Sequence, residues 1–203
     1  MKKIIISAIS FVAAFFAVPY GMDYYREYSA VASANAEIEA IREEVRINNP
    51  DEPEVLAVQQ AAIVKVGENI NSKGSKKERI QTAASSFMGY YLVNYRQRAE
   101  YCQEQGVDIT PFINAFKEAH KREYAVAVKA ISAKPSDLDK LFNILKPQLA
   151  KVIEQDMEFI ASKNGVSLAG ACQLISDNAA VLVTEVHISV MQPVVYNTLM
   201  SDL

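Results

Sequence analysis

Apolar residues recur every three or four positions through most of this chain, which is typical of helices that bury one face. Strand-like alternation joined by hairpin dipeptides is missing. The pattern therefore predicts an all-α fold: a bundle of about five to six helices after an N-terminal apolar helix. The seven glycines and seven prolines fall mostly where these helices should end.

Two helices are predicted in the first half of the bundle. One begins near Pro53 and ends before "NSKGS", and a longer one runs from Ser75 to Gln105. The longer helix carries a core-facing stripe at steps of three, four or seven residues, formed by Ile80, Ala84, Phe87, Tyr91, Tyr95 and Cys102.

A fourth helix follows after Gly106, which is expected to end the preceding helix in a left-handed conformation. The new helix opens at "DITP", with Thr110 or Asp108 as N-cap and Pro111 in the first turn. Its buried side is expected to include Phe112, Phe116, Ala127 and Ile131, and it ends before "AKPSD".

The last two predicted helices are long. The first covers residues 136–163 and contains Pro147, where a kink is expected because proline removes a backbone hydrogen bond. It should end at Gly165. The second is capped by Ser167 and continues until Pro193 bends it.

The N-terminus has the pattern of a bacterial export signal. Two lysines precede the uncharged run Ile4–Val18. The first good A-x-A cleavage site, Ala32-Ser33-Ala34, lies far beyond that run, which makes it a poor peptidase site. Residues 4–22 also approach the length that crosses a bilayer of roughly 30 Å. The segment 1–22 is therefore either a cleaved export signal or an uncleaved membrane anchor, and the anchor is the preferred interpretation.

The rest of the chain divides into a helical stalk and loop over residues 23–52 and a helical bundle domain over 53–203. Part of the stalk has the spacing of a short parallel coiled coil. Steps of four and three residues alternate along Tyr24, Tyr28, Val31, Asn35 and Ile38. The pattern suggests a homodimer through the stalk, with Asn35 setting the register, although Ile41 departs from it.

Charge argues against nucleic acid as a partner. The chain has 21 basic and 24 acidic residues and a formal charge of −3. Its one basic cluster, in "SKGSKKER", is interpreted as a solvated helix end, whereas nucleic-acid binding favours a concentrated basic face.

The two cysteines, Cys102 and Cys172, are predicted to form one disulfide in an oxidising compartment. They would join the end of the third helix to the start of the last. A redox-active pair is not favoured, because C-x-x-C spacing is absent.

Candidate chemistry is sparse, and neither a catalytic residue, a metal site nor a cofactor is predicted. His120, among charged neighbours, is interpreted as a solvated histidine. His187 and the nearby Glu185 are weak candidates for a polar site. A haem bound inside the bundle is a further hypothesis. It would need a methionine ligand together with a histidine, and the candidate methionines are Met88, Met157, Met191 and Met200.

Ten tyrosines stand against no tryptophan, and five of them form a candidate interaction surface: Tyr24, Tyr25, Tyr28, Tyr90 and Tyr91. Consecutive side chains on a helix point about 100° apart. Tyr90 and Tyr91 are therefore expected to differ, one facing the core and the other a groove or partner.

Three functions remain open from the sequence. The first is a non-enzymatic exported helical protein that acts through protein contacts in the bacterial cell envelope, anchored in the inner membrane with a periplasmic domain, or soluble in the periplasm after cleavage. The second is a periplasmic binding module for an apolar ligand such as a lipid or haem. The third is an enzyme of unknown class.

Overall fold

The computed structural model describes residue 36 and residues 39–48 and 51–201. These residues form helices joined by turns, with no strand among them, and the predicted all-α class is confirmed. The helices are α1 (39–48), α2 (Glu54–Asn71), α3 (Lys76–Leu92), α4 (Arg98–Glu104), α5 (Thr110–Ala119), α6 (Lys121–Ala130), α7 (Pro135–Asn164), α8 (Leu168–Asp177), α9 (Ala179–Glu185), α10 (Ile188–Met191) and α11 (Pro193–Leu199).

The expectations for the leader over residues 1–22 and for the stalk residues Tyr24, Tyr25, Tyr28, Val31, Asn35 and Ile38 lie outside the described residues. The described end of the stalk, α1, packs on α2. Ile41 and Val45 are buried against Ala57 and Val58. The boundary predicted at residue 52 is therefore crossed by apolar packing.

The long helix predicted from Ser75 to Gln105 is present, with a π-helical segment at Val93–Gln97 between α3 and α4. Its start is fixed by a capping box, because Ser75 and Glu78 exchange backbone-to-side-chain hydrogen bonds of 3.2 and 2.9 Å. Gly106 ends it at φ +76°, as expected.

The fourth predicted helix is instead two helices, α5 and α6, divided at His120. His120 leaves the helical conformation at φ −103° and ψ 14°. Sequence periodicity continues across this break, so the cause lies in contacts that His120 makes with a distant part of the chain. The expected start is present: Pro111 lies in the first turn, and Asp108 accepts a hydrogen bond from the Thr110 N–H at 2.8 Å.

Helix α7 agrees with its predicted bounds, includes Pro147, and ends at Gly165 with φ +64°. The last predicted helix begins at the Ser167 cap, which accepts from the Gly170 N–H at 3.0 Å. It is not continuous to Pro193, because two breaks divide it into α8, α9 and α10; helix α11 begins at Pro193 itself. The described chain consequently has more and shorter helices than the five to six expected.

Helix α3 occupies the middle of the bundle and contacts α2, α6 and α11, while α5 packs on α8 and α9. Cys102 in α4 and Cys172 in α8 lie at disulfide distance, with 2.07 Å between sulphurs and 5.6 Å between Cα atoms. Both are fully buried. The predicted pairing is confirmed, and it joins two helices that are 70 residues apart in sequence.

Within residues 39–48 and 51–201, no single helix combines the length and apolarity needed to cross a bilayer. One pair, Leu168–Asp177 with Ala179–Met191, meets the criteria jointly but is bent by 88°.

Candidate functional site

His187, the histidine singled out by sequence, lies at the junction between α9 and α10, with 23% of its side chain exposed. Its Nδ1 accepts a hydrogen bond from the Ser189 N–H at 3.3 Å and lies 2.8 Å from the Ser189 hydroxyl. Its Nε2 lies 3.3 Å from the Ala119 carbonyl oxygen and 4.0 Å from Glu123 Oε1. The imidazole therefore bridges the start of α10 and the end of α5.

The second histidine is at the same place. The expectation that His120 is solvated is wrong, because the residue is fully buried. The break between α5 and α6 turns its ring inward, where it stacks on His187 with centroids 4.6 Å apart and an interplanar angle of 15°. His120 Nε2 accepts from the Ile188 N–H at 3.2 Å. The ring also contacts Phe87, Tyr90 and Phe116.

The hydrogen-bond partners fix the tautomer of each ring. His120 Nδ1 lies 2.9 Å from the Phe116 carbonyl, which only accepts, so the proton is on Nδ1 and Nε2 is free to accept. His187 Nε2 faces the Ala119 carbonyl, so its proton is on Nε2. Both imidazoles are neutral in this arrangement. Burial is the main cause that lowers the pKa of His120 to about 4, against the opposing effect of its bond to Phe116 and with a smaller lowering from the neighbouring His187.

The carboxylate beside the two histidines is not that of Glu185, the acidic residue suggested by sequence. Glu185 is exposed, and the acid beside His187 is Glu123 of α6, which is 4% exposed. Glu123 Oε2 is buried and accepts no hydrogen bond from the described residues.

Sequence reasoning passed over Glu123 and over the burial of His120, yet a signal was present. The apolar stripe of the fourth helix skips from Phe116 to Ala127, and steps of four, three and four across that gap fall on His120 and Glu123. Two polar residues on a buried stripe indicate a polar cluster in the core.

Tyr90 and Tyr91 are both buried, at 0% and 6% exposure, which corrects the expectation that one of them faces a groove or partner. Tyr90 points at the α9–α10 junction, where its hydroxyl donates to the Val186 carbonyl. Tyr91 packs on Tyr95, Tyr124 and Phe116, and burial raises its pKa to about 12. Helices on both sides of α3 cover the two directions in which these rings point.

A separate buried ion pair lies beside the π-helical segment. Arg98 Nη1 is 2.7 Å from Asp156 Oδ2 of α7, and both side chains are fully buried. Arg98 Nη2 also donates to Asn94 Oδ1 at 3.3 Å, and Asn94 donates to the Tyr90 carbonyl at 3.0 Å. Asn94, within the π-helical segment, thus connects the Tyr90 backbone to the guanidinium.

The surface has an open groove of about 690 Å³ between α4 and α5, here called the α4–α5 groove. Its walls combine apolar and polar groups: Tyr95, Arg96, Ala99, Glu100, Gln103, Gly106, Val107, Asp108, Ile109, Thr110 and Ile113. Two of its charges are paired with α7, since Arg96 lies 2.7 Å from Asp139 and Glu100 lies 2.9 Å from Lys146.

The methionines proposed for haem belong to the core or pack against it. Met88 and Met157 are fully buried, and the Met157 sulphur accepts from Arg98 Nη1 at 3.4 Å. Met191 and Met200 are partly buried against the core. Over the described part of the chain, no three His, Cys, Asp or Glu side chains converge as metal ligands would.

Comparisons with protein-family models, with curated proteins and with solved structures find no match to this chain.

We call His120, Glu123, His187 and Ser189 the histidine cluster. Its His187 imidazole lies between the Ser189 hydroxyl and the Glu123 carboxylate. That order is also found in activated nucleophiles. Here, however, Nδ1 of His187 accepts the backbone N–H of Ser189 together with its hydroxyl, so the imidazole serves as the N-cap of α10. The cluster is built to fasten two helix junctions to one another.

Proposed function

We propose that this chain is an exported, non-enzymatic helical protein that acts through contacts with other proteins of the bacterial cell envelope. Residues 4–22 would hold it in the inner membrane with its domain in the periplasm; cleavage of the leader would instead leave it soluble there. The observation that carries the proposal is the buried Cys102–Cys172 pair, found in a chain whose N-terminus has the pattern of an export signal.

The cysteine pair supports export because disulfides persist in oxidising compartments and are rare in the cytosol. Both sulphurs lie within the apolar core, where the bond joins α4 to α8. Sulphurs in such a position stabilise the fold, and they lack the exposure that a catalytic thiol needs.

Action through protein contacts is supported by apolar side chains that the fold leaves in solvent. Val64 of α2 is 59% exposed and Val194 of α11 is 40% exposed. The two lie near each other. Gly67 is about one helical turn after Val64, and a Cβ atom added to Gly67 would be 3.8 Å from the Val194 side chain. Adjoining exposed apolar residues are a feature of protein-contact surfaces.

The test is the size of the native protein in each cell fraction. We expect the chain to be in the envelope fraction and, after mild detergent extraction, in a complex larger than its own 22.5 kDa. The purified chain in the same detergent is the control, and mass analysis separates a stalk-mediated homodimer from a complex with another protein. A monomer in the cytosolic fraction would refute the proposal.

A second candidate function is a periplasmic binding module for an apolar ligand such as a lipid or haem. The α4–α5 groove favours it, because its volume is in the range of small-molecule sites and Tyr95, Val107 and Ile113 give it an apolar side. Extractable lipid or a visible absorption band in the protein purified from its own cells would support this function. Folded, colourless and lipid-free protein would contradict it.

A further inference from the structure

Two interruptions of regular helix face each other across the bundle. One separates α5 from α6 at His120, and the other separates α9 from α10 at Val186 and His187. They are 68 residues apart in sequence and are joined by bonds in both directions: Ile188 N–H to His120 Nε2, and His187 Nε2–H to the Ala119 carbonyl. Each junction therefore supplies an imidazole to the backbone of the other.

We propose that His120 and His187 form an acid-sensitive latch, which holds the α9–α10 junction on the α5–α6 junction while both rings are neutral and releases it when the pair is protonated. The released segment would begin at His187 and include α10.

The chemistry of His120 makes the latch sensitive to one proton. Its Nδ1 already carries a hydrogen, which it donates to Phe116, so a second proton can be added only at Nε2. Nε2 is the acceptor for the Ile188 N–H. Protonation there replaces an acceptor by a donor, and two N–H groups then point at each other. The bond that holds Ile188 is lost outright.

The stacked arrangement limits the pair to one charge. With centroids 4.6 Å apart and nearly parallel rings, two imidazolium ions would repel strongly in a site where His120 is fully buried. His187 is partly exposed, and Glu123 Oε1 is 4.0 Å from its Nε2.

Three helices packed around the two histidines supply ionisable side chains to them. Helix α6 supplies the carboxylate of Glu123, and α3 supplies Tyr90, whose pKa is raised well above its ordinary value by burial and which therefore stays neutral. Helix α11 supplies Tyr196, whose ring is 6.1 Å from that of His187. Glu123 is the group among these that can balance one positive charge; it cannot balance two.

In the described part of the chain, few other side-chain hydrogen bonds reach the α9–α10 junction. The Tyr90 hydroxyl binds the Val186 carbonyl on the near side of the break. On the far side, α10 is one turn long and is capped by the His187 ring itself. Loss of the His120 bond to Ile188 therefore removes a tether at the start of α10. The remaining tether, from His187 to Ala119, is made by the same ring that caps α10.

The test is amide hydrogen exchange of the full, oxidised chain between pH 7 and pH 4, corrected for the intrinsic pH dependence of exchange. We expect protection of Ile188 and of α10 to fall at least tenfold more than protection of α7, which serves as the internal reference. A fall of the same size in both regions, or none in either, would overturn the latch.

The matched variant is His120→Gln, whose side-chain carbonyl can still accept from the Ile188 N–H but does not titrate. We expect the selective loss of protection around Ile188 to disappear. If this variant does not fold, the imidazole signals of the wild-type chain decide, since it contains only two histidines. A His120 signal that titrates near pH 6.5 in the folded protein, with Ile188 still protected, would contradict the proposal.

Discussion

Arg98 of α4 and Asp156 of α7 form an ion pair of 2.7 Å in which neither side chain is exposed to solvent. Two charges so placed are costly to desolvate, and the cost is offset only while each has its partner. Asn94 and the Met157 sulphur complete the surroundings of the guanidinium. The pair therefore links the π-helical region to α7 in one arrangement.

Arg98→Met leaves the Asp156 carboxylate buried without its cation, so we expect the free energy of unfolding to fall by about 3–5 kcal/mol. Urea denaturation measures it. The double change Arg98→Met with Asp156→Leu should recover most of the loss. The matched control is Lys121→Met, which breaks an exposed pair with Glu118 and should leave the free energy nearly unchanged. Equal effects of Arg98→Met and Lys121→Met would contradict burial of the ion pair.

Replacement of both Cys102 and Cys172 by alanine opens a loop of 70 residues in the unfolded chain. The chain-entropy account gives a loss of about 4 kcal/mol in the free energy of unfolding, and we expect a loss of that order. Urea curves of the oxidised and reduced wild-type chain should show the same difference without any substitution. Coincident curves for the two redox states would show that the cysteines do not constrain the chain.

Stability should also depend on pH through His120. Its pKa is about 4 in the folded protein against 6.5 for an ordinary imidazole, so between these values the unfolded chain binds more protons. The stabilisation is complete above about pH 6.5 and is lost as the pH falls toward 4, by at most about 3 kcal/mol. Urea midpoints at several pH values test this, and the His120→Gln variant should remove that part of the slope. An unchanged slope in the variant would assign it to carboxylates instead.

Gly165 ends α7 at φ +64°, a backbone conformation that residues other than glycine rarely adopt. Gly165→Ala should lower the free energy of unfolding by roughly 1–2 kcal/mol, because backbone strain is added although the new methyl group meets no atom within 4 Å. Gly74→Ala is the control, since Gly74 is exposed and lacks a positive φ. Thermal denaturation of the two variants checks the difference, and a larger loss at Gly74 would contradict this account of the α7 end.

The features that sequence predicted correctly are the ones encoded locally. The Ser75 start, the left-handed Gly106, the helix end at Gly165 and the Ser167 cap each depend on residues within one turn of the chain. The cysteine pairing is the exception: it was predicted because the chain has two cysteines, both at helical core positions, and carries the pattern of an export signal.

The features that sequence missed depend on partners far along the chain. The break at His120 is held by Ile188, and the break before α10 is held in turn by His187 and Ala119. No local pattern encodes a bond between residues 68 positions apart. Along the helix predicted from Ser75 to Gln105, the apolar stripe likewise passes from Tyr95 to Cys102 without including Arg98. The burial of Arg98 depends on Asp156 in α7.

The central claim, that this is an exported protein with a structural disulfide, is tested most directly by thiol labelling of the native protein from fractionated cells. Cells are lysed into denaturant containing an alkylating reagent, with and without prior reduction. The account predicts a chain in the envelope fraction whose Cys102 and Cys172 are unmodified until a reductant is added. Labelling of both cysteines without reductant, in protein from the cytosolic fraction, would contradict it.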